Sequence, residues 1–255
     1  MLLFVPVCTM DTLFFDLFAA LPRQAPGSTR ATLRALSSLT LPPREIAILD
    51  IGCGAGAQTL TLAHHLAGHI IAVDNHRPFL DALQARAASM PLRATIDCRQ
   101  ADMRTLEFPP DSFDIVWAEG SIYIMGFAEG LRMARSVLRK GGYAVFSDMV
   151  WLTEEPPAGA VTFFASEYPA MRRSADVRGL VTTAGFTLVD SFPVAVEDHW
   201  NTYYAPMQEQ VTKMRAERPD DPAARQLCDA LQQEIDIYAS FASSFGYVFY
   251  IMHTL

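Results

Sequence analysis

The stretch from Ile46 to Leu60 constrains this chain more than any other. A short apolar run through Leu49 ends in Asp50, and glycines follow at 52, 54 and 56 before a helix-compatible segment from Gln58 to Leu66. Glycine lacks Cβ, so the backbone turns sharply there and lets a ligand press against it. Strand, glycine turn and helix in that order build a nucleotide-sized crevice at the carboxyl end of a parallel strand. The following residues agree with such a sheet. Strands are expected at 46–50, 69–74, 95–100, 113–118 and 142–148, with helices at 57–67, 77–90 and 126–138 and a helix-poor link through Pro109 and Pro110. This alternation implies a parallel sheet with helices on both faces, in which the carboxyl ends of strands one and four meet at the switch point. Gly141 and Gly142 are expected to end the helix before the fifth strand, with Arg139 and Lys140 at its negative end.

Which nucleotide the crevice takes is less direct. Gly52, Gly54 and Ala57 also satisfy the loose dinucleotide fingerprint, so a NAD(P)-dependent oxidoreductase is a competing reading. Asp50 disfavours it, because a carboxylate before the glycines would oppose a doubly negative pyrophosphate. A ligand with adenosine, no phosphate and a cationic amino-acid tail removes that conflict, and S-adenosylmethionine is one. No Gly-Lys-Ser/Thr follows, which excludes a P-loop. Asp74 closes the second apolar run, Ile70 to Asp74, at the spacing of an acid that accepts from ribose hydroxyls. Capping of the next helix is its alternative role. Asn75 lies beside it, and Phe79 is placed to cover part of the adenine. Cys53 sits in the glycine turn as a space-filler, since Asp50 would raise rather than lower its pKa.

These motifs resemble those of class I S-adenosylmethionine-dependent methyltransferases. Ile48 to Gln58 is similar to that family's first motif, Ala72 to Asn75 to its acidic second one, and Gln100 to Met103 to its adenine-edge motif. Phe113 to Gly120 resembles the fourth strand, and Leu138 to Phe146 the Leu-Arg-Lys-Gly-Gly turn and fifth strand. The resemblance covers about 28–195 and is nearest to the ubiquinone and menaquinone C-methyltransferases and to small-molecule enzymes of the same type. It implies a Rossmann-like α/β fold: a seven-stranded, mostly parallel sheet with an antiparallel last strand. The implied cofactor is S-adenosylmethionine, with S-adenosylhomocysteine as product. Asp50, Gly52, Cys53, Gly54, Gly56, Gln58, Asp74, Asn75 and Phe79 then form one side of its site. Asp102 and Met103 meet the adenine, and Glu119 and Gly120 follow strand four, where the fold presents the transferable methyl.

At 255 residues and 51% hydrophobic, the chain can bury one α/β core and a modest cap. Net charge is −8 with no block of Lys or Arg, which argues against a nucleic-acid substrate. Cys8, Cys53, Cys98 and Cys228 lack metal-ligand spacing and suit a reducing cytoplasm. Adjacent His64 and His65 face different directions on a helix, so no metal site is expected. Met1 to Val7 is apolar but too short for a membrane span and lacks a positive flank, so no membrane insertion is expected. Met10 is an alternative start that would leave the first nine residues as overhang. Assembly is open, with a homodimer as one option.

Four segments are expected: an N-terminal helical lid (1–44), the cofactor-binding core (45–195), a helical substrate cap (196–245) and a final core strand (246–255). In the lid, Asp11 is placed to cap a helix over 12–21, and Ser28 or Thr29 one over 30–38. Between them Gln24 and Gly27 belong to a link that either only connects or hinges over the cofactor's methionine end. Helices near 158–164 and 174–184 and a strand over 186–194 precede the cap. The cap reads as two helices, 207–218 and 221–243, preceded by His199, Trp200, Tyr203 and Tyr204. This aromatic cluster can pack or can enclose an amine or an aromatic acceptor. Methyl transfer needs alignment, exclusion of water and sometimes removal of a proton. Glu119, Tyr123, His199 and Tyr203 are the candidates to meet the small-molecule acceptor, and Glu119→Gln is expected to cost turnover far more than cofactor affinity. A non-catalytic cofactor-binding or partner-binding protein on this fold is the remaining alternative.

Overall fold

The computed structural model describes residues 9–254, with side chains from Thr12 onward. The expectations for Cys8 and for the cap at Asp11 lie outside what is described, as does the expected nine-residue overhang except for Thr9, which is the first residue of a helix. Helix α1 (Thr9–Ala19) begins upstream of the expected cap, and α2 (Thr29–Ser37) starts where Ser28 Oγ accepts from the amide of Ala31 at 3.0 Å. The core then runs β1 (Ile46–Ile51), α3 (Ala57–His65), β2 (Gly68–Asp74), α4 (Arg77–Ala88), β3 (Ala94–Gln100), β4 (Phe113–Glu119), α5 (Phe127–Val137) and β5 (Leu138–Trp151). Helix α6 (Ala158–Glu167), the two-residue β6 (Arg172–Arg173), α7 (Ser174–Thr183) and β7 (Phe186–Pro193) follow. The cap is α8 (Val196–His199), a widened π-type turn (Trp200–Tyr204), α9 (Ala205–Glu217) and α10 (Pro222–Phe241), and β8 (Phe245–Thr254) closes the sheet.

The strands lie in the order β3-β2-β1-β4-β5-β8-β7, with β6 beside β5. All pairings are parallel except those of β8, which is antiparallel to both β5 and β7. The seven-stranded path is thus as expected, and β6 adds a short eighth strand. The order reverses direction between β1 and β4, so their carboxyl ends, Ile51 and Glu119, flank one crevice. Alternation along the strands supplies two apolar layers. Ile48, Ile70, Trp117, Val145 and Phe249 pack with α1, α2 and the cap, while Leu49, Val73, Val116, Phe146 and Tyr250 pack with α5 and α7.

Two local expectations change. Helix α5 stops at Val137 and Leu138 already pairs with Phe113, so the Gly141-Gly142 pair does not end the helix. Gly141, with φ +76°, falls where the β4–β5 register shifts between Phe113 and Ile115, and Arg139 donates to Asp114 at 2.8 Å instead of facing a helix end. Strand pairing outweighs the local glycine signal there. Among the described residues, no helix is long and apolar enough to cross a membrane.

Helix α1 packs against α9 and α10, so the N-terminal segment and the cap share one cover over the crevice. Residues 23–28 bond to the glycine turn of the core on one side and to the cap on the other. Gln24 Oε1 accepts from the amide of Ala55 at 2.8 Å, Ser28 Oγ donates to Asp198 at 2.6 Å, and Thr202 Oγ1 donates to the Gly27 carbonyl at 2.5 Å.

Candidate functional site

A cavity of about 320 Å³ occupies the crevice between the carboxyl ends of β1 and β4 and the shared cover. The glycine turn forms its floor. Gly52, Cys53 and Gly54 line it, and Gly54, at φ +55°, lies so close to Gln24 that an added Cβ would sit 2.8 Å from Oε1. Every amide from 52 to 56 already has a protein acceptor. Gly52 and Cys53 donate to the Val73 carbonyl at 2.8 and 3.0 Å, Gly54 to Asp74 Oδ2 at 2.9 Å, Ala55 to Gln24, and Gly56 to the Cys53 carbonyl at 3.0 Å. A pyrophosphate-binding turn needs such N–H groups to point at the anion.

Asp50 is fully buried and absent from the lining. Its carboxylate accepts from Thr59 Oγ1 at 2.5 Å and Gln58 Nε2 at 3.2 Å, so it braces the start of α3 from beneath. Burial pushes its pKa up to about 7 against those two hydrogen bonds, with Glu119 and Asp74 adding smaller repulsions. The expectation that Asp50 stands at the mouth and repels phosphate is therefore corrected; Gln58, which does line the cavity, lies between. Gly56 and Gly27 are also outside the lining. A Cβ on Gly56 would meet Leu83 at 2.2 Å, and Gly27 leaves space for the Arg23 guanidinium, 3.1 Å from where its Cβ would be.

Asp74 and Asn75 line the cavity as expected. Asp74 accepts from the amides of Gly54 and His76, both at 2.9 Å, and burial raises its pKa against them. Phe79 lies at the edge of His76, whose ring stacks on Phe15 with centroids 3.8 Å apart, so α1 contributes an aromatic wall. Asp102 and Met103 line the adjoining side. Asp102 is gripped by Arg104, with Nη2 to Oδ2 at 2.7 Å and Nε to Oδ1 at 3.0 Å, which holds its pKa down to about 2.

Glu119 lines the cavity yet spends its carboxylate on the protein. Oε2 takes the Arg23 guanidinium; Oε1 accepts from Thr32 Oγ1 at 2.8 Å and Trp117 Nε1 at 2.9 Å. Burial raises its pKa, with Arg23 foremost among the groups opposing the rise. This bonding corrects the expectation of an acceptor-facing acid: Glu119 anchors the cover. Arg23 was not singled out in the sequence, being 96 residues away from its partner. Its Nε is buried and has no hydrogen-bond partner among the described residues. Gly120, at φ +64°, lies 2.5 Å (as a built Cβ) from Ala25 and 3.5 Å from the Tyr247 ring, so the backbone is open to a ligand only because no side chain is there.

His199 does not reach the cavity. It is 1% exposed, stacked on Tyr204 at 5.1 Å and 4.2 Å from the Tyr238 ring, and its Nε2 has no partner among the described residues. Burial alone lowers its pKa to about 3, so it is a neutral packing residue and not an acid–base group. Tyr123 and Tyr203 do line the cavity, together with Tyr168, Tyr247 and Glu234, which the sequence did not single out. Burial raises the phenol pKa of Tyr123 and Tyr203, with Glu234 the next cause in each, so both remain protonated donors.

Residues 48–142 match the family described as methyltransferase domain, which contains the glycine turn, Asp74, Asp102 and Glu119. Residues 48–142 thus form a methyltransferase domain, in agreement with the S-adenosylmethionine-dependent class that the sequence motifs resemble. Among curated relatives, the chain is 31% identical over 104 residues to methyltransferase GfsG of Streptomyces halstedii, covering 40% of this chain and 37% of that one. It is 21% identical over 193 residues to phosphoethanolamine N-methyltransferase 1 of Arabidopsis thaliana, covering 75% and 38%. The chain thus spans less than two fifths of either relative's length. A methyltransferase from Geobacter sulfurreducens, solved in complex with S-adenosyl-L-homocysteine, shares the fold with a TM-score of 0.80 at 19% identity, over 99% of this chain and 100% of that one.

Proposed function

We propose that this methyltransferase moves a methyl group from S-adenosylmethionine to N, O or C of a small molecule enclosed under the cap. The observation that carries this reading is the glycine turn with all five amides satisfied internally. It offers a close, uncharged surface to a nucleoside and no set of donors to a diphosphate. The residues present suit the parts of the cofactor. Asp74 and Asn75 would accept from ribose hydroxyls, the backbone of Met103 and the rings of Phe79 and Phe15 would meet the base, and the unpaired Nε of Arg23 would serve the tail carboxylate near Gly120. When bound, this cofactor supplies an electrophilic methyl group on a sulfonium. The chain's own contribution is positional: Tyr123, Tyr203 and Tyr247 wall the cavity against water, and the Arg23–Glu119 pair fixes the cover in place. Cytoplasmic location is part of the same reading, supported by free Cys53, Cys98 and Cys228.

A melting experiment tests the cofactor assignment. A ligand at a hundredfold excess over its Kd stabilises by about 2.7 kcal/mol, or roughly 5–10 °C for a chain of this size. S-adenosylhomocysteine is expected to give that shift and NAD none; the reverse would overturn the reading. Incubation of a metabolite extract with methyl-labelled cofactor then separates an enzyme, which labels a product, from a non-catalytic binder, which does not.

A further inference from the structure

Asp148, on β5, sits immediately behind the cavity wall. It is 4% exposed and is not itself a lining residue, but its chain neighbour Met149 and its hydrogen-bond partner Tyr168 both line the cavity. The Tyr168 hydroxyl donates to the Asp148 carboxylate, 3.2 Å from Oδ2 and 3.3 Å from Oδ1, and the amide of Met149 donates to Oδ1 at 3.0 Å. The neighbour on the other side, Ser147, accepts from the Gly120 amide on Oγ at 2.9 Å, so this part of β5 is tied to the turn after β4. Tyr123, from that turn, meets the Tyr168 ring edge-on with centroids 5.8 Å apart. The charged and titratable groups around Asp148 are Tyr168 after α6, Arg172 of β6, Tyr123, and Tyr247 and Tyr250 of β8. Arg172 is exposed. Burial pushes the Asp148 pKa up to about 7, against the Tyr168 hydroxyl, the Met149 amide and, last, Arg172.

We infer that Tyr168 and Asp148 relay a proton out of the cavity, and that the acceptor attacks through an O–H or N–H. This rests on the methyl-transfer reading above and narrows its acceptor by excluding attack from carbon. The acceptor group donates to Tyr168 Oη and gives up its proton there, while the Tyr168 proton passes to the Asp148 carboxylate. The attacking atom keeps the electron pair of the broken bond, Tyr168 ends as it began, and Asp148 becomes a neutral carboxyl. A hydroxyl has one proton and two lone pairs. With its proton committed to Asp148, Tyr168 has only lone pairs to offer the cavity, and these suit a guest that donates. Burial and the Asp148 charge hold the Tyr168 phenol well above its ordinary pKa, so Tyr168 does not stay ionised but passes the proton on. An acid that titrates near neutrality is a matched receiver for it.

A metabolite extract incubated with methyl-labelled cofactor and read by mass spectrometry tests this in the wild type, Tyr168→Phe and Asp148→Asn, from about pH 5 to about pH 9. Wild-type product formation is expected to rise about tenfold per pH unit and level off near pH 7, where Asp148 is free to receive a proton. The label should lie on oxygen or nitrogen. Each variant should lose the rising limb and about a hundredfold in rate at the plateau, with affinity for S-adenosylhomocysteine unchanged within about twofold. A wild-type rate flat over this range, a folded variant that keeps the limb or stays within about threefold of wild type, or label on carbon would overturn the inference. Where one variant does not fold the other decides, and the wild-type profile and the labelled atom test the relay without either. Failure of S-adenosylhomocysteine to bind, or an extract that yields no labelled product, would instead bring down the underlying reading.

Discussion

Glu119→Gln replaces one oxygen of the Arg23 ion pair by an amide that cannot accept from a guanidinium. The other oxygen can be kept by the amide carbonyl, so Thr32 and Trp117 retain their acceptor. What is lost is the charge opposite Arg23, whose side chain is 8% exposed, as Glu119 is 2%. Neutralising one partner of a buried pair costs about 3–5 kcal/mol, because the other charge stays buried without compensation. That is a large share of the roughly 5–15 kcal/mol that holds a domain folded. At about 2–4 °C per kcal/mol for chains of this size, the melting temperature is expected to fall by roughly 6–20 °C. Scanning calorimetry of the variant, of Arg23→Met and of the double variant gives the coupling between them, and the double variant should recover part of the loss. Turnover measured well below the new melting temperature should drop together with cofactor affinity, since Arg23 and the segment it anchors line the cofactor side. A variant that melts within 2 °C of wild type, binds S-adenosylhomocysteine normally and yet loses turnover about a hundredfold, the scale of a lost acid–base group, would refute this and return Glu119 to the acceptor.

Gly54→Ala should reduce affinity for S-adenosylhomocysteine at least about tenfold by calorimetry, because a Cβ 2.8 Å from Gln24 Oε1 must displace the bond to Ala55 at an unfavourable φ of +55°. His199→Phe should leave kcat and its pH profile unchanged and alter stability by no more than about 1 kcal/mol, since the ring is neutral and one nitrogen is unpaired; a lost limb of the pH profile would count against a packing role. Asp148 is buried beside Tyr168, which donates to it at 3.2 Å, and burial raises its pKa to about 7. Its folded pKa exceeds its unfolded one, so the native state holds the proton longer and stability falls as pH rises from about 4 to about 7. Asp148→Asn removes this titration. The stability of the variant relative to wild type should therefore grow by a few kcal/mol, on the order expected of such a shift, between pH 4 and pH 8 in urea titrations; a constant difference would refute the assignment.

The sheet was readable because its signals are local and repeated: apolar runs of strand length, glycine or acid at each carboxyl end, and amphipathic helices between. Ser28 as a cap was readable for the same reason. The link across the crevice was not. Arg23 and Glu119 are brought together only by the fold, and nothing near Arg23 in sequence marks it as the partner of a strand-final acid. The cap misled in another way. His199 stands beside Glu197 and Asp198, a neighbourhood that suggests acid–base chemistry, but consecutive residues on a helix face different ways. Asp198 turns to Ser28 and Arg30, while His199 turns inward onto Tyr204 and Tyr238. Glu234 and Tyr247 are separated from Tyr123 by over a hundred residues and carry no motif, so their shared wall of the cavity emerges only in three dimensions.

The glycine turn shows how a correct inference can rest on the wrong atom. Repulsion from an acid before the glycines was a sound reason to disfavour a diphosphate, yet Asp50 lies beneath the turn and its carboxyl is pushed toward neutrality. The selection instead falls to the backbone. Val73 takes the amides of Gly52 and Cys53, Asp74 takes Gly54, Gln24 takes Ala55 and the Cys53 carbonyl takes Gly56. A diphosphate would have to break these bonds to find donors, and at each it would leave a buried acceptor of the chain unsatisfied, at about 1–3 kcal/mol apiece. An uncharged ribose asks for none of them, because it needs only acceptors and contact surface, and Asp74 can accept from its hydroxyls without surrendering the Gly54 amide: each carboxylate oxygen has lone pairs for a second bond. The same acid that closes the turn against phosphate thus remains open to the sugar.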